Sequence, residues 1–227
     1  MADSSCGAVV VAAGVSSRFG QDKLFHRLAG VPVLARSLRA FEDCPAVGEV
    51  ALVLNEANLE AGRRLVVEHR LAKARHLCLG GTRRQDSVLA GLRALGGCEW
   101  VAIHDGARPL ATPELIARGL AEARATGAAI PGVPLKDTVK VVGSGDLVVS
   151  TPERARLRAI QTPQVFRYAL ILDAYRVAEG EVTDDAALLE ALGHPVKVYP
   201  GSYDNLKITT AEDLDLAEAL LRRRGGR

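Results

Sequence analysis

The chain has 227 residues, of which 48% are hydrophobic, 25% charged and only 4% aromatic. This length suits one large domain with a sizeable core, and the composition excludes a disordered or fibrous chain. The 29 Lys and Arg residues against 27 Asp and Glu give a net charge of +2, so no overall field favours nucleic acid. Any anion-binding site must therefore come from a local arrangement of charge.

The sequence also predicts neither a secreted nor a membrane protein. Residues 1–6 show no basic region followed by an apolar run, and the longest apolar run, 8–13, is far shorter than the roughly 20 residues that cross a bilayer. Four cysteines lie far apart without a CxxC pair: Cys6, Cys44, Cys78 and Cys98. Reduced cysteines in a cytoplasmic protein are favoured over a zinc site.

Short apolar runs alternate with amphipathic stretches along the first 133 residues. Strands are predicted at 7–13, 49–54, 76–79, 100–104 and 128–133, and helices at 33–41, 59–69, 84–95 and 112–126. Strands that alternate with helices predict an α/β fold with a Rossmann-like, mostly parallel twisted sheet and helices on both faces.

This alternation breaks between residues 137 and 160. Two apolar runs, 139–142 and 147–150, flank a Gly-Ser-Gly-Asp turn and predict a β-hairpin. An exposed hairpin with apolar positions favours pairing with a second chain in a homodimer, although a lone surface hairpin is the alternative. Its apolar positions are Val139, Val141, Leu147 and Val149.

The alternation then resumes to the end of the chain. Helices are predicted at 168–179 and 184–192, a strand at 196–199, and a last helix at 210–223 that opens on a capping-box pattern. The chain is therefore interpreted as one domain, 1–227, with an inserted β-arm at about 137–160.

Ligands of parallel sheets bind beyond the carboxyl ends of the strands, so the residues that follow each predicted strand are candidates. Residues 14–23 form a Gly- and Ser-rich loop with Arg18 and Lys23, where backbone N–H groups and two cations could bind phosphate. The loop matches neither a Walker A motif nor GxGxxG, so an ordinary turn remains an alternative.

Two more strand ends carry candidate residues. Gly80 and Gly81 would let a flat base approach the backbone near Ser87, or would simply form a flexible turn. Asp105 directly follows an apolar strand and could bind a hydroxyl or a metal ion, directly or through water. The alternative is that Asp105 forms a turn with Arg108 as its surface partner.

The strings at these strand ends are recognisable together, in order and over essentially the whole chain. They are Ala12-Ala13-Gly14 with Arg18 and Lys23; Gly80-Gly81 with Asp86-Ser87-Val88; His104-Asp105 with Ala107-Arg108-Pro109; Asp137-Thr138; Thr162-Pro163-Gln164; Thr183-Asp184; and Asp204-Asn205-Leu206-Lys207. The series resembles the 2-C-methyl-D-erythritol 4-phosphate cytidylyltransferase family of the non-mevalonate isoprenoid pathway.

The resemblance implies transfer of CMP from CTP to 2-C-methyl-D-erythritol 4-phosphate, with release of pyrophosphate and with Mg²⁺ or another divalent cation as cofactor. The implied catalytic residues are Arg18, Lys23, Arg154 and Lys207. The implied nucleotide-binding residues are Ala12, Ala13, Gly14, Gly80, Gly81, Ser87 and Gly106. The implied acceptor-binding residues are Asp105, Arg108, Thr138, Thr162 and Thr183. In family dimers, positions that match Arg154 and Thr183 serve the partner's site; CTP phosphates would hold the metal, with Asp105 the nearest protein candidate.

These residue types also suit the chemistry of such a reaction, independently of the family resemblance. Two polyanions must meet, so the site needs cations, and an ionised phosphate needs no side-chain base. His104 is expected to pack or hydrogen-bond beside Asp105 rather than act as a base. Arg222, Arg223 and Arg224 are expected to form a solvated tail rather than a nucleic-acid site.

The sequence departs from the family pattern in the first loop and at Gly106. Asp22-Lys23-Leu24 stands where Pro-Lys-Gln is usual, the loop is shorter, and Gly106 replaces alanine. These departures put the path of the loop and the position of Lys23 in question. Two alternatives remain: a cytidylyltransferase for another polyol phosphate such as ribitol 5-phosphate, and a nucleotide-binding module without turnover.

Overall fold

The structure, a computed structural model, describes residues 6–14, 23–178, 180 and 182–225. Its strands are β1 (Cys6–Ala12), β2 (Arg27–Leu28), β3 (Val31–Pro32), β4 (Val47–Leu54), β5 (His76–Leu79), β6 (Trp100–Asp105), β7 (Ala128–Pro134), β8 (Val141–Val142), β9 (Val148–Ser150), β10 (Arg158–Ile160), β11 (Gln164–Arg167) and β12 (Lys197–Pro200). Its helices are α1 (Val33–Glu42), α2 (Leu59–Glu68), α3 (Arg84–Ala94), α4 (Pro113–Thr126), α5 (Tyr168–Val177), α6 (Ala186–Ala191) and α7 (Ala211–Gly225).

An eight-stranded sheet organises the chain, in the order β10-β7-β11-β6-β1-β4-β5 with β12 also paired to β7. β1 lies between β4 and β6 and is parallel to both. Six of its seven residues are buried, which agrees with the continuous apolar run read as a strand covered on both faces. The predicted α/β fold with a mostly parallel sheet is confirmed.

Helices cover both faces of this sheet. One core cluster joins alternate residues of β1 to apolar side chains of α1, α4 and α7, and the other joins Val9 to apolar side chains of α3, α5 and α6. Because side chains alternate across a strand, the five strands β1, β4, β6, β7 and β11 each contribute to both clusters. The strands that end at the predicted site residues Ala12 and Asp105 are therefore packed on both faces. No helix among the described residues is long and apolar enough to span a bilayer.

The predicted caps of α4 are present. The Thr112 hydroxyl accepts a hydrogen bond from the Leu115 N–H at 3.3 Å, and Pro113 occupies the first helical position. Gly127 ends the helix with a φ of 85°, the left-handed conformation that favours glycine. These signals fix where α4 begins and ends, and β7 starts directly afterwards.

Two antiparallel strands, β10 and β11, were not predicted. β11 pairs antiparallel with both β6 and β7, and β10 pairs antiparallel with β7. Both are only three or four residues long and lie on either side of Gln161–Pro163, so neither shows a clear period. Arg158–Ile160, at the end of the range predicted for the arm, therefore lies in the main sheet. The short β2–β3 hairpin was also not predicted.

The predicted hairpin is present as β8 and β9, which pair antiparallel between Val141 and Ser150. Its strands are shorter than the predicted apolar runs. The arm is little covered by the rest of its own chain, since all residues from 140 to 151 are exposed. Leu147 is 73% exposed and Val149 is 68% exposed.

Candidate active site

A cavity of about 540 Å³ lies at the carboxyl ends of β1, β4 and β6. Eight of its lining residues were predicted as site residues: Ala12, Ala13, Gly14, Lys23, Gly81, Ser87, Asp105 and Lys207. The other lining residues are Val11, Leu24, Asn55, Thr82, Arg83, Arg84 and Ala107. The fold thus brings together residues that are up to about 195 positions apart in the chain, as the strand-end rule predicts.

One wall of the cavity is built by the turn between β5 and α3. The Ser87 hydroxyl accepts a hydrogen bond from the Gly81 N–H at 3.2 Å, and the Asp86 carboxylate accepts one from the Arg83 N–H at 3.2 Å. A Cβ on Gly80 would lie 2.6 Å from the Cβ of Ala13 and 2.5 Å from the Ser87 hydroxyl oxygen. Gly80 therefore lets the ends of β1 and β5 come together, and it does not itself line the cavity.

The opposite side of the cavity is charged, and its centre is the carboxylate of Asp105. The Lys207 ammonium lies 2.9 Å from Asp105 Oδ2, Arg84 Nε lies 3.4 Å from Oδ1, and Arg108 Nε lies 3.8 Å from Oδ2. Burial by itself would raise the pKa of Asp105, but Lys207 and Arg84 hold that pKa well below its usual range. The carboxylate is therefore ionised at neutral pH.

Arg108 is held at the edge of this cluster. Its Nη1 donates to the Asn205 carbonyl at 2.8 Å, and its side chain is 12% exposed. Its Nε is buried and has no hydrogen-bond partner among the described residues. Burial lowers the pKa of Arg108, although Asp105 opposes this. Arg108 does not itself line the cavity but lies beside Asp105, which does. A buried N–H donor without a hydrogen-bond partner at this position is suited to an oxygen of a bound molecule.

His104 and Thr162 support Asp105 from behind. The Thr162 hydroxyl accepts a hydrogen bond from the Asp105 N–H at 3.0 Å and lies 2.9 Å from Nδ1 of His104, while Nε2 of His104 lies 3.2 Å from the Arg108 carbonyl. These contacts assign the neutral tautomer with the proton on Nε2, so Thr162 donates to Nδ1. Burial lowers the pKa of His104 to about 4. His104 therefore hydrogen-bonds beside Asp105, as predicted.

Gly106 has a structural place in the same turn. Its N–H donates to the Val11 carbonyl at 2.9 Å, and its carbonyl accepts from the Ser37 hydroxyl at 2.7 Å. Both of its backbone groups are thus used within the fold, and the residue is buried outside the cavity lining. A Cβ at this position would lie 3.1 Å from the Val11 carbonyl oxygen, so glycine fits more easily than the usual alanine.

Sequence reasoning missed a buried ion pair beside the cavity. The Arg84 guanidinium donates to both carboxylate oxygens of Asp185, at 2.8 and 2.7 Å, and Asp185 is fully buried. Burial acts to lower the pKa of Arg84, but the charge and hydrogen bonds of Asp185 outweigh it and raise that pKa. Both residues adjoin predicted motifs, but the sequence does not show which Arg or Asp of each motif is buried.

Several predicted residues lie away from the cavity lining. Arg154 lines a separate cavity of about 580 Å³ with Lys136 and Arg158, and its Nη1 donates to the Lys136 carbonyl at 2.6 Å. Thr138, at the base of the arm, and Thr183 are exposed and line neither cavity. Arg18 lies outside the described residues.

The donor set does not offer a protein-held metal site. Asp105, the nearest predicted candidate, already carries ion pairs with Lys207 and Arg84. In the described part of the chain, no group of three or more His, Cys, Asp and Glu side chains is placed to hold a metal ion. The cavity thus combines a glycine-lined wall with a cationic side, which suits a ligand with a flat base and several phosphates.

Comparison with known proteins agrees with this arrangement. The family model for 2-C-methyl-D-erythritol 4-phosphate cytidylyltransferase matches residues 6–223. Proteins of that name from Dehalococcoides mccartyi (strain ATCC BAA-2266 / KCTC 15142 / 195) and Alkaliphilus oremlandii are 51% identical over 218 residues and 42% identical over 232. The first match covers 96% of both chains, and the second covers 99% of this chain and 98% of the relative.

Solved structures show the same likeness. The 4-diphosphocytidyl-2C-methyl-D-erythritol synthase from Anaerococcus prevotii superposes with a TM-score of 0.85 at 32% identity, over 96% of each chain. The 2-C-methyl-D-erythritol 4-phosphate cytidylyltransferase from Thermus thermophilus gives a TM-score of 0.78 at 35% identity, over 94% of this chain and 98% of its own. The chain therefore belongs to the 2-C-methyl-D-erythritol 4-phosphate cytidylyltransferase family.

Proposed function

We propose that this chain transfers CMP from CTP to 2-C-methyl-D-erythritol 4-phosphate in isoprenoid biosynthesis. The observation that carries this is the composition of one cavity at the sheet edge. A glycine-lined wall with Ser87 faces a side that contains Lys23, Lys207 and the Asp105 carboxylate. Together with family membership over residues 6–223, this favours nucleotidyl transfer over a binding module without turnover.

The reaction is a displacement at phosphorus. An oxygen of the acceptor's phosphate forms a bond to the α-phosphorus of CTP, and the bond from that phosphorus to the oxygen that bridges to the β-phosphate breaks. Pyrophosphate leaves, and a diphosphate bridge joins cytidine to the methylerythritol. No proton must be removed from the attacking group, because a phosphate monoester is largely ionised at neutral pH. The protein has to position two polyanions and neutralise their repulsion.

The cationic side chains supply this neutralisation. Lys23 lines the cavity and would contact the CTP phosphates, and we assign Arg18 to the same phosphates from the family pattern. Lys207, with a side chain that is 42% exposed beside Asp105, would position the attacking phosphate. Lysine is suited to this task because its ammonium is a mobile point charge on a flexible stem.

The glycine-lined wall would hold the base. Ala12, Ala13, Gly81 and Ser87 all line the cavity, and the Ser87 hydroxyl accepts a hydrogen bond from the Gly81 N–H. Close approach of backbone to a flat ring is what the small residues of this wall allow. Gly80 and Gly106, also assigned to the nucleotide site, do not line the cavity; each packs against a residue that does, Ala13 and Ala12 respectively, and would support the wall.

The acceptor would lie on the side of Asp105. An ionised carboxylate accepts hydrogen bonds from polyol hydroxyls. Arg108 Nε, which has no hydrogen-bond partner among the described residues, can donate to another oxygen. The Thr162 hydroxyl donates a hydrogen bond to Nδ1 of His104 and accepts one from the Asp105 N–H. It therefore helps to orient Asp105 and could only accept a further hydrogen bond from a ligand.

We propose Mg²⁺ as the cofactor, held mainly by the triphosphate. When bound, it would gather and partly neutralise the phosphates. The ion pairs of Asp105 support this assignment, because they leave that carboxylate engaged with cations.

We propose that the protein works as a homodimer through the β-arm. The exposed apolar residues of the arm support this, since Leu147, Val148 and Val149 each expose more than half of their surface. Arg154, Thr138 and Thr183 lie away from the cavity of their own chain, which fits residues that serve a partner's cavity. A cytoplasmic location is proposed as well, and the four free cysteines are in keeping with it.

The test is an acceptor panel with CTP and Mg²⁺, read by pyrophosphate release. We expect turnover with 2-C-methyl-D-erythritol 4-phosphate and much less with ribitol 5-phosphate or without acceptor. Replacing CTP by ATP, GTP or UTP should lower the rate. Preference for ribitol 5-phosphate would change the assigned acceptor. Tight CTP binding without pyrophosphate from any acceptor would identify a nucleotide-binding module instead.

A further inference from the structure

Two consecutive residues at the start of α3 hold the segment that precedes α6. Arg84 makes the bidentate pair with Asp185, at 2.8 and 2.7 Å. The amide of Gln85 donates to the Gly180 carbonyl at 2.9 Å and accepts from the Val182 N–H at 3.4 Å. The segment of residues 182–185 is therefore fastened to the same helical turn that carries the cavity wall.

The carboxylate of the Arg84–Asp185 ion pair is buried and hydrogen-bonded by more than one side chain. Asp185 is fully buried, and the Tyr175 hydroxyl donates to its Oδ1 at 2.5 Å. Burial, together with the nearby charge of Asp185, raises the pKa of Tyr175, so the hydroxyl remains a donor. A buried carboxylate is stable only when it is paired and hydrogen-bonded, and the planar fork of arginine matches both of its oxygens.

The same guanidinium also reaches the acceptor side of the cavity. Arg84 lines the cavity, and its Nε lies 3.4 Å from Oδ1 of Asp105. Lys207 holds the other oxygen of that carboxylate at 2.9 Å. The Asp105 carboxylate is thus fixed from both sides, and one of those sides is itself fixed by Asp185.

We propose that Arg84 is a positioning residue for the acceptor. Its guanidinium orients the Asp105 carboxylate in the cavity of its own chain and, through Asp185, holds the segment that carries Thr183, the residue assigned above to the partner's cavity. The identity of the acceptor rests on the proposed function. The role is one of geometry rather than of charge, because it depends on three N–H donors that a lysine cannot place in the same plane.

The first test needs no substrate. Amide hydrogen exchange of residues 182–185 is measured in the ligand-free protein for the wild type, Arg84→Lys and Arg93→Lys. Arg93 is an exposed arginine in the last turn of the same helix, so it is the matched control. We expect exchange at 182–185 to be roughly tenfold faster or more in Arg84→Lys and unchanged in Arg93→Lys. Equal amide protection of residues 182–185 in all three proteins would overturn the proposal that Arg84 holds this segment.

The second test separates positioning from folding by steady-state kinetics. In Arg84→Lys and Arg84→Gln, we expect the KM for the acceptor to rise roughly tenfold or more, while the KM for CTP stays within about threefold of wild type. A loss of folded protein would lower kcat alone and leave both KM values unchanged. Full rescue by Arg84→Lys would show that only charge matters and would refute the positioning role.

Tyr175→Phe removes the hydrogen bond to Asp185 but keeps both charges of the Arg84–Asp185 ion pair. It tests the positioning role if the Arg84 variants do not fold. It should raise exchange at 182–185 and the acceptor KM in the same direction, by about threefold. No change in either quantity would overturn the proposal. The wild type in the same assay distinguishes this proposal from the proposed function. Absence of turnover in the wild type would contradict the proposed function, while the exchange experiment would still test whether Arg84 holds residues 182–185.

Discussion

The cavity and the β-arm, residues 137–157, differ in burial and in the contacts that hold their residues. Around the cavity, β1 and β4 end in buried residues, and Asp105 at the end of β6 is held by several polar contacts. Its carboxylate makes ion pairs with three cationic side chains, and its backbone N–H donates to the Thr162 hydroxyl. The arm has exposed side chains from residue 140 to residue 151 and a two-stranded ribbon of its own. The difference supports the two proposals made above: one chain forms the nucleotide site, and the exposed arm contacts a second chain.

The largest expected effect tests the cationic side of the cavity. Lys23→Ala and Arg18→Ala should each lower kcat by roughly 10²–10³, the scale for loss of one preorganised charge in the transition state. The measurement is kcat at saturating CTP, with Lys197→Ala, an exposed lysine on β12, as the control. A near-wild-type kcat in either variant would remove that residue from the assigned role.

The next effect asks whether the arm contributes to catalysis. Arg154→Ala should lower kcat/KM for the acceptor by about 10- to 150-fold, since a hydrogen bond to a charged group contributes about 1.5–3 kcal/mol. The affinity for CTP should change little. Arg156→Ala, in the same exposed turn, is the matched control. A pure loss of CTP affinity would contradict the assignment and would make the arm part of the nucleotide site.

A third effect concerns stability behind the cavity. Because burial lowers the pKa of His104 to about 4 from an ordinary 6.5, the unfolded chain binds a proton more readily than the folded one. Stability from this group is complete above pH 6.5 and is lost as the pH falls toward 4. Between pH 6.5 and 5 the wild type should lose about 2 kcal/mol of unfolding free energy from it. Urea denaturation at both pH values should show this loss diminished in His104→Asn; an equal loss would contradict it.

The smallest effect on the cavity should come from the tip of the arm. Leu147→Glu with Val149→Glu should convert a dimer of twice the 24.1 kDa chain mass into monomers, because charges oppose burial of an apolar surface. Light scattering measures the mass. CTP affinity should stay within about twofold of wild type, since neither residue lies at the cavity. A wild-type monomer at micromolar concentration would sink the dimer proposal.

The sequence predicted the parallel core well because its strands are apolar runs followed by recognisable strand ends. Ala12, Gly81, Asp105 and Lys207 were all located in advance, and all four line the cavity. The antiparallel strands β10 and β11 were missed, because their few residues show no period and their strand character comes from pairing with β6 and β7.

The supporting contacts were harder to foresee. Arg83 and Arg84 are adjacent in sequence, yet Arg84 reaches the buried Asp185 while Arg83 pairs with the partly exposed Asp86. Which side of α3 faces the interior decides this, and the turn that sets it depends on the close approach of Gly80 to Ala13. Such choices depend on tertiary packing, which local patterns do not specify.

The pairing of Arg158 with Pro134 has a consequence for how this protein can be altered. The two residues are register partners at the end of β7 and the start of β10, so the arm leaves the sheet and returns to it at neighbouring points. The whole excursion is topologically a long hairpin loop. A short turn that joins Pro134 to Arg158 would therefore remove the arm while the ends of the two strands stay where they are. For the proposed dimer, this one deletion would separate assembly from folding, and the length of the arm could vary without a change in the sheet.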